Sequence, residues 1–421
     1  MFKLLMKKST FWKISNNIQL RMKKNIILLL LLIFIFEELK ENSKANNNIN
    51  GSEFSIDKEI MSIKKKKYKK EKNDISLCMV GDLLIHKNLS NFAYNNKTKT
   101  YNYDFIFEYI EKYIKEYDMR IANDEVLIAG KNFGVRGYPR FNTPFELADS
   151  IVKAGFNIIL KATNHVNDLG QKALISDLNN WKNKYPNITV TGSYLSESEY
   201  NKISYYTKNG IKIALLNYCY KSNVRLANNY TMNKNRFFKI KNDIQKAKNE
   251  GAEFIIVFPH WGTEYSLHEN ERQKIKAIFY FSLGVDLVIG THPHVIQPVK
   301  YIKDDKTNRI MYIFYSIGNF INATSKRGKD IFLRFLGGMA HVIIGRNKNN
   351  KVIVKDIKFI PLITHIFEKY KKTSTFKVRD YNKSMAKQNF VGIEYDNTYS
   401  YENMIQTFKN VVHPYFLDFD Y

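Results

Sequence analysis

Short apolar runs alternate with amphipathic stretches through the middle of this chain. Apolar runs rich in β-branched residues predict strands, and apolar residues at three- and four-residue spacing predict helices. The predicted strands are Ile75–Val80, Met119–Asn123, Asn157–Lys161, Lys212–Tyr218, Glu253–Phe258, Val285–Ile289 and Met311–Tyr315. The predicted helices are Asp104–Glu116, Thr143–Ala154, Gln171–Lys184, Lys239–Glu250 and Glu269–Leu283. Such alternation indicates an α/β fold.

The pattern changes near residue 325. Alternating stretches at His341–Ile344 and Lys351–Pro361 predict antiparallel strands. We therefore expect a main domain over 73–325 and C-terminal strands over 326–365 that complete it. Residues 366–421 are rich in Lys, Asn and Tyr with weak periodicity, which predicts a tail.

The N-terminus has the pattern of a targeting segment. Seven Lys or Arg residues precede the apolar run Ile26–Phe36, which is short for a membrane span of about 20 residues but suits a secretory signal. We expect residues 1–36 to be a signal peptide or membrane anchor, with the rest of the chain extracytoplasmic. A buried helix at the start of the domain is the alternative. Residues 37–72 read as a polar Lys/Asn-rich linker.

The chain carries a net charge of +26, which is typical of nucleic-acid proteins. Residues 1–72 alone hold 17 basic against 7 acidic residues, however, and the rest of the excess is spread along the chain. No nucleic-acid partner is therefore predicted, and an anionic surface or polymer fits better. Cys78 and Cys219 lie in apolar runs and are expected to be buried free thiols.

Candidate metal ligands fall mainly at the carboxyl ends of predicted strands, where open α/β sheets build their sites. They are Asp82, His86, Glu125, Asn164, His165, His260, His292 and His294. The last pair, one residue apart, can aim two imidazole nitrogens at one point. Carboxylate, amide and imidazole ligands together fit Mn, Fe or Zn better than Ca or Mg. Two such ions would share a carboxylate and activate a bridging water.

The order of these segments resembles one known family. The motifs are Gly81-Asp82 with His86, Asn123-x-Glu125, Ala162-Thr163-Asn164-His165-x-x-Asp168-x-Gly170, His260-Trp261-Gly262-x-Glu264-Tyr265, Gly290-Thr291-His292-Pro293-His294 and Tyr315-Ser316-x-Gly318-Asn319-Phe320. Together they look like the CapA/PgsA family of bacterial capsule proteins associated with poly-γ-glutamate synthesis. The resemblance covers residues 75–325. It implies a four-layer α/β/β/α sandwich of the calcineurin-like metallophosphoesterase type.

The resemblance also implies roles for the candidate residues. Asp82, His86 and His294 would hold one divalent transition metal, Asn164, His260 and His292 the other, and Glu125 would bridge them. His165 would be the catalytic proton donor or charge stabiliser beside the leaving group. The implied partners are the membrane, an anionic polymer such as poly-γ-glutamate, and capsule synthase or export proteins.

Two positions depart from the metallophosphoesterase pattern. Glu125 stands where an aspartate is usual, and Asp82 and His86 are four residues apart where Asp-x-His is usual. Three functions therefore stay open: a membrane-tethered metallohydrolase or acyl transferase of capsule assembly, a non-catalytic metal-binding scaffold, and a general periplasmic metallophosphoesterase. Trp261 and Tyr265 could line a groove or form a packed wall, and Asn319 could merely cap a turn.

Overall fold

Two β-sheets form the centre of the protein. The computed structural model describes residues 68–323, 330–367, 372–389, 396 and 398–421. The described residues belong to one compact unit, Lys58–Tyr421. The expected signal or anchor (1–36) and almost all of the expected linker lie outside them. No helix among the described residues has the length and apolar character needed to cross a membrane.

The first sheet has eight strands and mixes parallel and antiparallel pairing. Its strands are β1 (Ile75–Leu83), β4 (Met119–Asp124), β5 (Ile158–Leu160), β6 (Thr189–Thr191), β13 (Asn319–Ile321), β14 (Leu336–Arg346), β15 (Val352–Phe367) and β16 (Lys372–Lys377). The order is β16-β15-β14-β1-β4-β5-β6, with β13 also paired to β1. Pairing is parallel from β1 through β6 and antiparallel from β1 through β16.

The second sheet has six strands. They are β7 (Ser204–Lys208), β8 (Ile211–Cys219), β9 (Phe254–His260), β10 (Leu287–Ile289), β11 (Val299–Asp304) and β12 (Arg309–Phe314), in the order β11-β12-β10-β9-β8-β7. The four central strands are parallel and the two edge strands antiparallel. A small hairpin, β2 (Tyr94–Asn95) with β3 (Thr100–Tyr101), lies apart from both sheets.

Several helices pack on the outer faces of the two sheets, and the last two pack against the cluster between the sheets. The α-helices are α1 (Lys87–Ala93), α2 (Glu111–Ile114), α3 (Glu146–Lys153), α4 (Gln171–Lys184), α5 (Glu197–Tyr200), α6 (Phe237–Asn249), α7 (Glu271–Ser282), α8 (Lys383–Gln388) and α9 (Tyr401–Val411). Short 3-10 helices occur at Asp104–Ile106, Lys131–Phe133, Ile331–Phe335 and Val378–Asp380.

The packing of side chains sets the order of layers. One core cluster joins inner-face residues of both sheets, such as Leu77 of β1 and Ile256 of β9. A second packs the other face of the first sheet against α1–α4, and a third packs the second sheet against α6 and α7. The layers are thus helices, sheet, sheet, helices. The predicted mixed α/β class is confirmed.

The structure differs from the sequence expectations at one predicted helix and in the tail, and strands such as β6, β7 and β11 were not predicted. Asp104–Glu116 does not form one helix; it contains a 3-10 turn and the short α2. Residues 366–421, expected to be a tail, contribute β16 to the first sheet and α9 to the core. Thr373, Ser374 and Thr375 of β16 are fully buried although they are polar, so a hydrophobic pattern could not reveal this strand.

Candidate metal centre

The predicted ligands meet where the carboxyl ends of strands from both sheets come together. The first sheet supplies oxygen ligands: Asp82 in β1, Glu125 after β4 and Asn164 after β5. The second sheet supplies imidazoles: His260 at the end of β9, and His292 and His294 after β10. All six side chains are buried, with at most 5% of any residue exposed. The centre is therefore an interface between the two sheets, and neither sheet contains it alone.

Glycines permit the close backbone approaches around the centre. The register between β1 and β4 shifts between Val80 and Asp82, so Gly81 is an extra residue that re-aims Asp82. A Cβ at Gly81 would lie 1.8 Å from the Gly318 carbonyl oxygen. At Gly290 a Cβ would lie 2.2 Å from the Tyr315 oxygen. No larger residue fits at either position without moving backbone that positions ligands.

Asn164, His260 and His292 form the first ligand group. His260 Nε2 lies 2.7 Å from Asn164 Oδ1 and 3.2 Å from His292 Nδ1. The other ring nitrogen of His260, Nδ1, lies 3.0 Å from the Thr291 hydroxyl. Asn164, His260 and His292 are the three side chains that the resemblance assigned to one ion. Their ligand atoms converge from β5, β9 and β10.

Asp82 and His294 form the second ligand group. His294 Nδ1 lies 3.1 Å from Asp82 Oδ2 and 3.1 Å from Asn319 Oδ1. Asn123 Nδ2 donates to Asp82 Oδ1 at 2.8 Å, and the backbone N–H of His292 donates to Asp82 Oδ2 at 3.3 Å. The two asparagines thus hold the second group in place, a role that the sequence motifs did not reveal.

Glu125 lies between the two groups. Its Oε1 is 3.3 Å from His260 Nε2 and 3.7 Å from His294 Nε2. Neither Glu125 oxygen has a well-formed hydrogen-bond partner among the described residues. Ligand atoms of Glu125, His292 and His294 lie within 4.8 Å of one another, close enough to hold one metal ion. The longer side chain therefore does reach both groups.

Backbone conformation is unusual at both histidines after β10. His292 has φ of +99° and His294 has φ of +59°. A positive φ costs a non-glycine residue of the order of 1–3 kcal/mol and persists only where the surroundings enforce it. Hydrogen bonds from Trp261 N to Thr291 O and from Thr291 N to Pro259 O tie this segment to β9. The strained turn aims the two imidazoles into the centre.

The pKa values of the ionisable groups in the centre are shifted in different directions. Burial lowers the pKa of His292 well below its usual range, and the neighbouring imidazoles lower it further. For His294 burial also acts to lower the pKa, but Glu125 and Asp82 outweigh it and raise the value to about 9. Burial raises the pKa of Asp82. Burial opposes ionisation of Glu125 as well, yet His294 and His260 hold its pKa below the usual range.

This donor set fits a bound cation. Thr291 can accept from Nδ1–H of His260, and Asp82 and Asn319 can accept from Nδ1–H of His294. Once His294 has lost its second proton, both Nε2 lone pairs would face the Glu125 carboxylate, whose oxygens have no well-formed donor among the described residues. A buried cluster of acceptors is unfavourable unless a positive charge or proton lies among them. In the metal-free protein the proton that His294 keeps, with its pKa raised to about 9, meets this requirement, and a bound divalent ion would meet it in place of that proton.

The structure places His86 close enough to His294, His165 and Glu125 for their charges to act on its imidazole. His86 is partly exposed, and its Nε2 is buried without a hydrogen-bond partner among the described residues. Its ring packs edge-on against Phe141, which in turn packs edge-on against His165. Burial, followed by the charges of His294 and His165, lowers the pKa of His86 to about 4. His86 is thus a neutral imidazole at the margin of the centre.

His165 is oriented by a carboxylate. His165 Nδ1 lies 2.7 Å from Asp168 Oδ2, which also accepts from the backbone N–H of Phe141 at 2.7 Å. The opposite nitrogen, Nε2, lies 3.5 Å from Asn223 Nδ2. With Nδ1–H donated to Asp168, Nε2 is an acceptor in the neutral imidazole and a proton donor in the imidazolium form, whose charge the carboxylate stabilises. Asp168 is part of the sequence motif, but its function in orienting His165 became visible only in the structure.

Two tyrosines flank the pair of histidines. The Tyr220 ring lies 5.1 Å from the His292 ring and the Tyr265 ring 6.1 Å from the His294 ring, and the two tyrosines are 44% and 47% exposed. The Arg334 guanidinium lies 4.1 Å above the Tyr265 ring. Trp261, by contrast, is buried and donates to the Tyr315 carbonyl oxygen. Trp261 is therefore a packed wall, and Tyr265 is at the open rim.

Comparison with known proteins agrees with the arrangement of these motifs. Residues 76–324, more than half of the chain, match the family described as bacterial capsule synthesis protein PGA_cap. The chain belongs to this family. Two curated relatives are similar to this PGA_cap protein: capsule biosynthesis protein CapA of Bacillus anthracis, 24% identical, and PGA biosynthesis protein CapA of Bacillus subtilis, 28% identical. The aligned regions cover 60% and 59% of this chain, and 61% and 63% of the relatives. The match thus spans about three fifths of each relative's length.

Solved structures also align with this chain, at low sequence identity. A putative 5'-nucleotidase from Staphylococcus aureus aligns with a TM-score of 0.43 at 16% identity, covering 68% of this chain and 54% of the other. The calcineurin-like phosphoesterase YfkN from Bacillus subtilis aligns with a TM-score of 0.40 at 14% identity, covering 80% and 97%.

Proposed function

We propose that this PGA_cap protein is a metal-dependent hydrolase or acyl transferase of capsule polymer assembly, with two divalent transition-metal ions at the described centre. The observation that carries the proposal is the position of Glu125. Its carboxylate lies between the Asn164–His260–His292 group and the Asp82–His294 group, 3.3 Å from one imidazole and 3.7 Å from another. A carboxylate between two ligand sets would let the two ions lie close together, as two-metal hydrolysis requires.

The ions would supply a more acidic water and polarise a phosphoryl or carbonyl oxygen of the substrate. The residues of the chain supply the rest. His165, held at Nδ1 by Asp168, would donate a proton from Nε2 to the leaving oxygen or nitrogen. Buried, neutral His292 offers a lone pair without first losing a proton. Tyr220 and Tyr265 would border the entering substrate.

The direct test is metal content followed by turnover. Full-length protein should contain close to two Mn, Fe or Zn ions per chain by elemental analysis, and His292→Ala and His294→Ala should each contain fewer. His268→Ala is a matched control, because His268 lies on the surface. Fewer than one ion per chain, unchanged in both centre variants, would refute the proposal. Bis-p-nitrophenyl phosphate and γ-glutamyl-p-nitroanilide serve as phosphoester and amide probes.

A metal-binding scaffold is the second candidate. The state of His86 favours it, because its buried Nε2 has no hydrogen-bond partner among the described residues and none of them fixes this imidazole as a ligand. A protein that binds two ions but turns over neither probe, with His165→Ala indistinguishable from wild type, would support the scaffold. A general periplasmic phosphoesterase would cleave the phosphate probe and would not act on the γ-glutamyl amide.

We also propose that the protein acts outside the cytoplasmic membrane, tethered by residues 1–36 or released by cleavage. The basic flank and apolar run of the N-terminus support this proposal. Capsule synthase or export proteins and an anionic polymer such as poly-γ-glutamate would be its partners. Accessibility of the domain to protease added to intact protoplasts tests the location: a fully protected domain would contradict it.

A further inference from the structure

A second cluster of charged residues lies beside the candidate centre and contributes no ligand to it. Lys161 is 1% exposed, and Asp124 and Asp177 are 0% exposed. Lys161 Nζ lies 2.8 Å from Asp124 Oδ2 and 2.7 Å from Asp177 Oδ2. Burying three ionisable groups costs more than an apolar cluster of the same volume, even when the charges are paired. Stability of the fold alone is therefore a weak explanation for this cluster.

Lys161 holds both chain neighbours of Glu125. Its Nζ donates to Asp124 Oδ2, the residue before Glu125, and to the carbonyl oxygen of Val126, the residue after it, both at 2.8 Å. Asp177 of α4 takes the third position around the ammonium. Two of the three N–H donors of Lys161 therefore bind the neighbours of Glu125, and Asp177 adds a buried ion pair. Glu125 is thus bracketed by a single buried cation.

The same lysine links the ligand-bearing ends of two strands. Asp124 is the last residue of β4, and Lys161 directly follows β5, three residues before Asn164. The backbone N–H of Lys161 donates to the Thr191 carbonyl oxygen at the end of β6, which fixes the lysine to the sheet. Burial lowers the pKa of Lys161, but the two aspartates outweigh it and raise the value, so the ammonium stays charged.

We infer that the buried Lys161–Asp124–Asp177 cluster positions Glu125 so that its carboxylate spans both ligand groups. Lys161 is accordingly a positioning residue; it does not touch the reacting atoms. A glutamate has one more rotatable bond than the aspartate usual at this place, and its oxygens have no well-formed hydrogen bonds among the described residues to fix them. The residues on either side of Glu125 therefore have to restrain it, and Lys161 contacts both of them, Asp124 and Val126. This inference rests on the proposed two-ion function.

The experiment compares metal binding with folding. A charge-free triple variant, Lys161→Met with Asp124→Asn and Asp177→Asn, removes the cluster without leaving an unpaired buried charge. Full-length wild type and variant are titrated with Mn²⁺, and electron paramagnetic resonance reports whether two bound ions are magnetically coupled through a bridge. Lys182→Met, which removes a 61% exposed lysine paired with Glu199, is the matched control.

We expect the triple variant to fold, as judged by circular dichroism, but to bind Mn²⁺ about 10- to 100-fold more weakly and to lose the coupled spectrum. Asp177→Asn alone keeps the contacts of Lys161 to Asp124 and Val126 and should weaken Mn²⁺ binding by about two- to tenfold. Wild-type affinity and coupling in the folded triple variant would overturn the inference and leave the proposed function standing. If the triple variant does not fold, unchanged Mn²⁺ binding in Asp177→Asn would overturn the inference about Lys161. A wild-type protein without a coupled pair overturns both.

Discussion

The two ligand groups of the candidate centre are held in different ways. In the Asn164–His260–His292 group the ligand atoms contact one another directly, at 2.7 and 3.2 Å. In the Asp82–His294 group the two ligands also contact each other, at 3.1 Å, and Asn123 and Asn319 contact them from outside. The first group has one such outside side-chain contact, from Thr291 to His260, whereas the second has two, one at each ligand. Function at the second group should therefore be the more sensitive to residues that never touch a metal.

The largest effect should come from the residue that the two groups share. Glu125→Ala removes a carboxylate that lies near both His260 and His294, so both ions should bind more than about 100-fold more weakly, beyond the range typical for residues that merely support a ligand. Isothermal titration with Mn²⁺ measures this. Glu271→Ala, at a glutamate that is 78% exposed, is the control. Loss of one ion with retention of the other would show that Glu125 belongs to a single group.

His165→Ala should lower turnover and leave metal binding at both ligand groups unchanged. Removal of a positioned proton donor lowers turnover by about 10²- to 10⁴-fold, while neither ligand group loses a contact. Turnover of the phosphoester and amide probes is compared with metal content in the same preparation. Asp168→Asn should have a smaller effect of the same kind. A parallel fall in metal content would instead make His165 part of the ligand set.

The pH dependence of metal binding should differ between the groups. His294 has a pKa raised to about 9 in the metal-free protein, so an ion binding there must displace a proton at neutral pH. Affinity at the Asp82–His294 group should rise by about tenfold per pH unit from pH 6.5 towards 9. His292 is already neutral in this range, because its pKa is well below the usual value. Calorimetric titrations in buffers of different ionisation enthalpy count the protons released when the ions bind. An equal dependence of affinity on pH for the two ions would contradict this prediction.

Removing a support should affect one group only. Asn319 Oδ1 accepts from His294 Nδ1–H, and Asn319 Nδ2 donates to the His294 carbonyl oxygen. Asn319→Ala should therefore weaken binding of the ion at the Asp82–His294 group by about 10- to 100-fold and leave binding at the other group unchanged. Thr291→Ala is the matched change for the first group, through His260 Nδ1. The two variants should therefore show opposite patterns of loss. If either variant weakens both ions equally, the groups are not independent.

The smallest effect should come from His86. His86→Leu removes a buried nitrogen that has no partner among the described residues, so the free energy of unfolding should change by less than about 1 kcal/mol. Mn²⁺ affinity should change by less than about threefold. Chemical denaturation and Mn²⁺ titration measure the two quantities, with His268→Leu as the surface control. A drop to one ion per chain would place His86 among the ligands, as the family resemblance implied.

The sequence predicted the parts of this centre that lie in short motifs after apolar strands. Asp82, Glu125, Asn164, His260, His292 and His294 were found because parallel strands bring their carboxyl ends to one edge. Contacts between distant segments were not visible, such as Asn319 with His294 and Lys161 with Asp177. The buried polar strand β16 was missed because Thr373, Ser374 and Thr375 lack the hydrophobic signal on which the prediction of strands depends.

Both sheets contribute ligands to the centre, so a bound metal would affect folding. Asp82 and His294 are 212 positions apart in the chain, yet they would bind the same ion. An ion that binds only the assembled site acts as a cross-link between the sheets, and at 100 times its dissociation constant it stabilises the native state by about 2.7 kcal/mol. Supply of the metal would then govern how long the folded protein survives, as well as whether it is active.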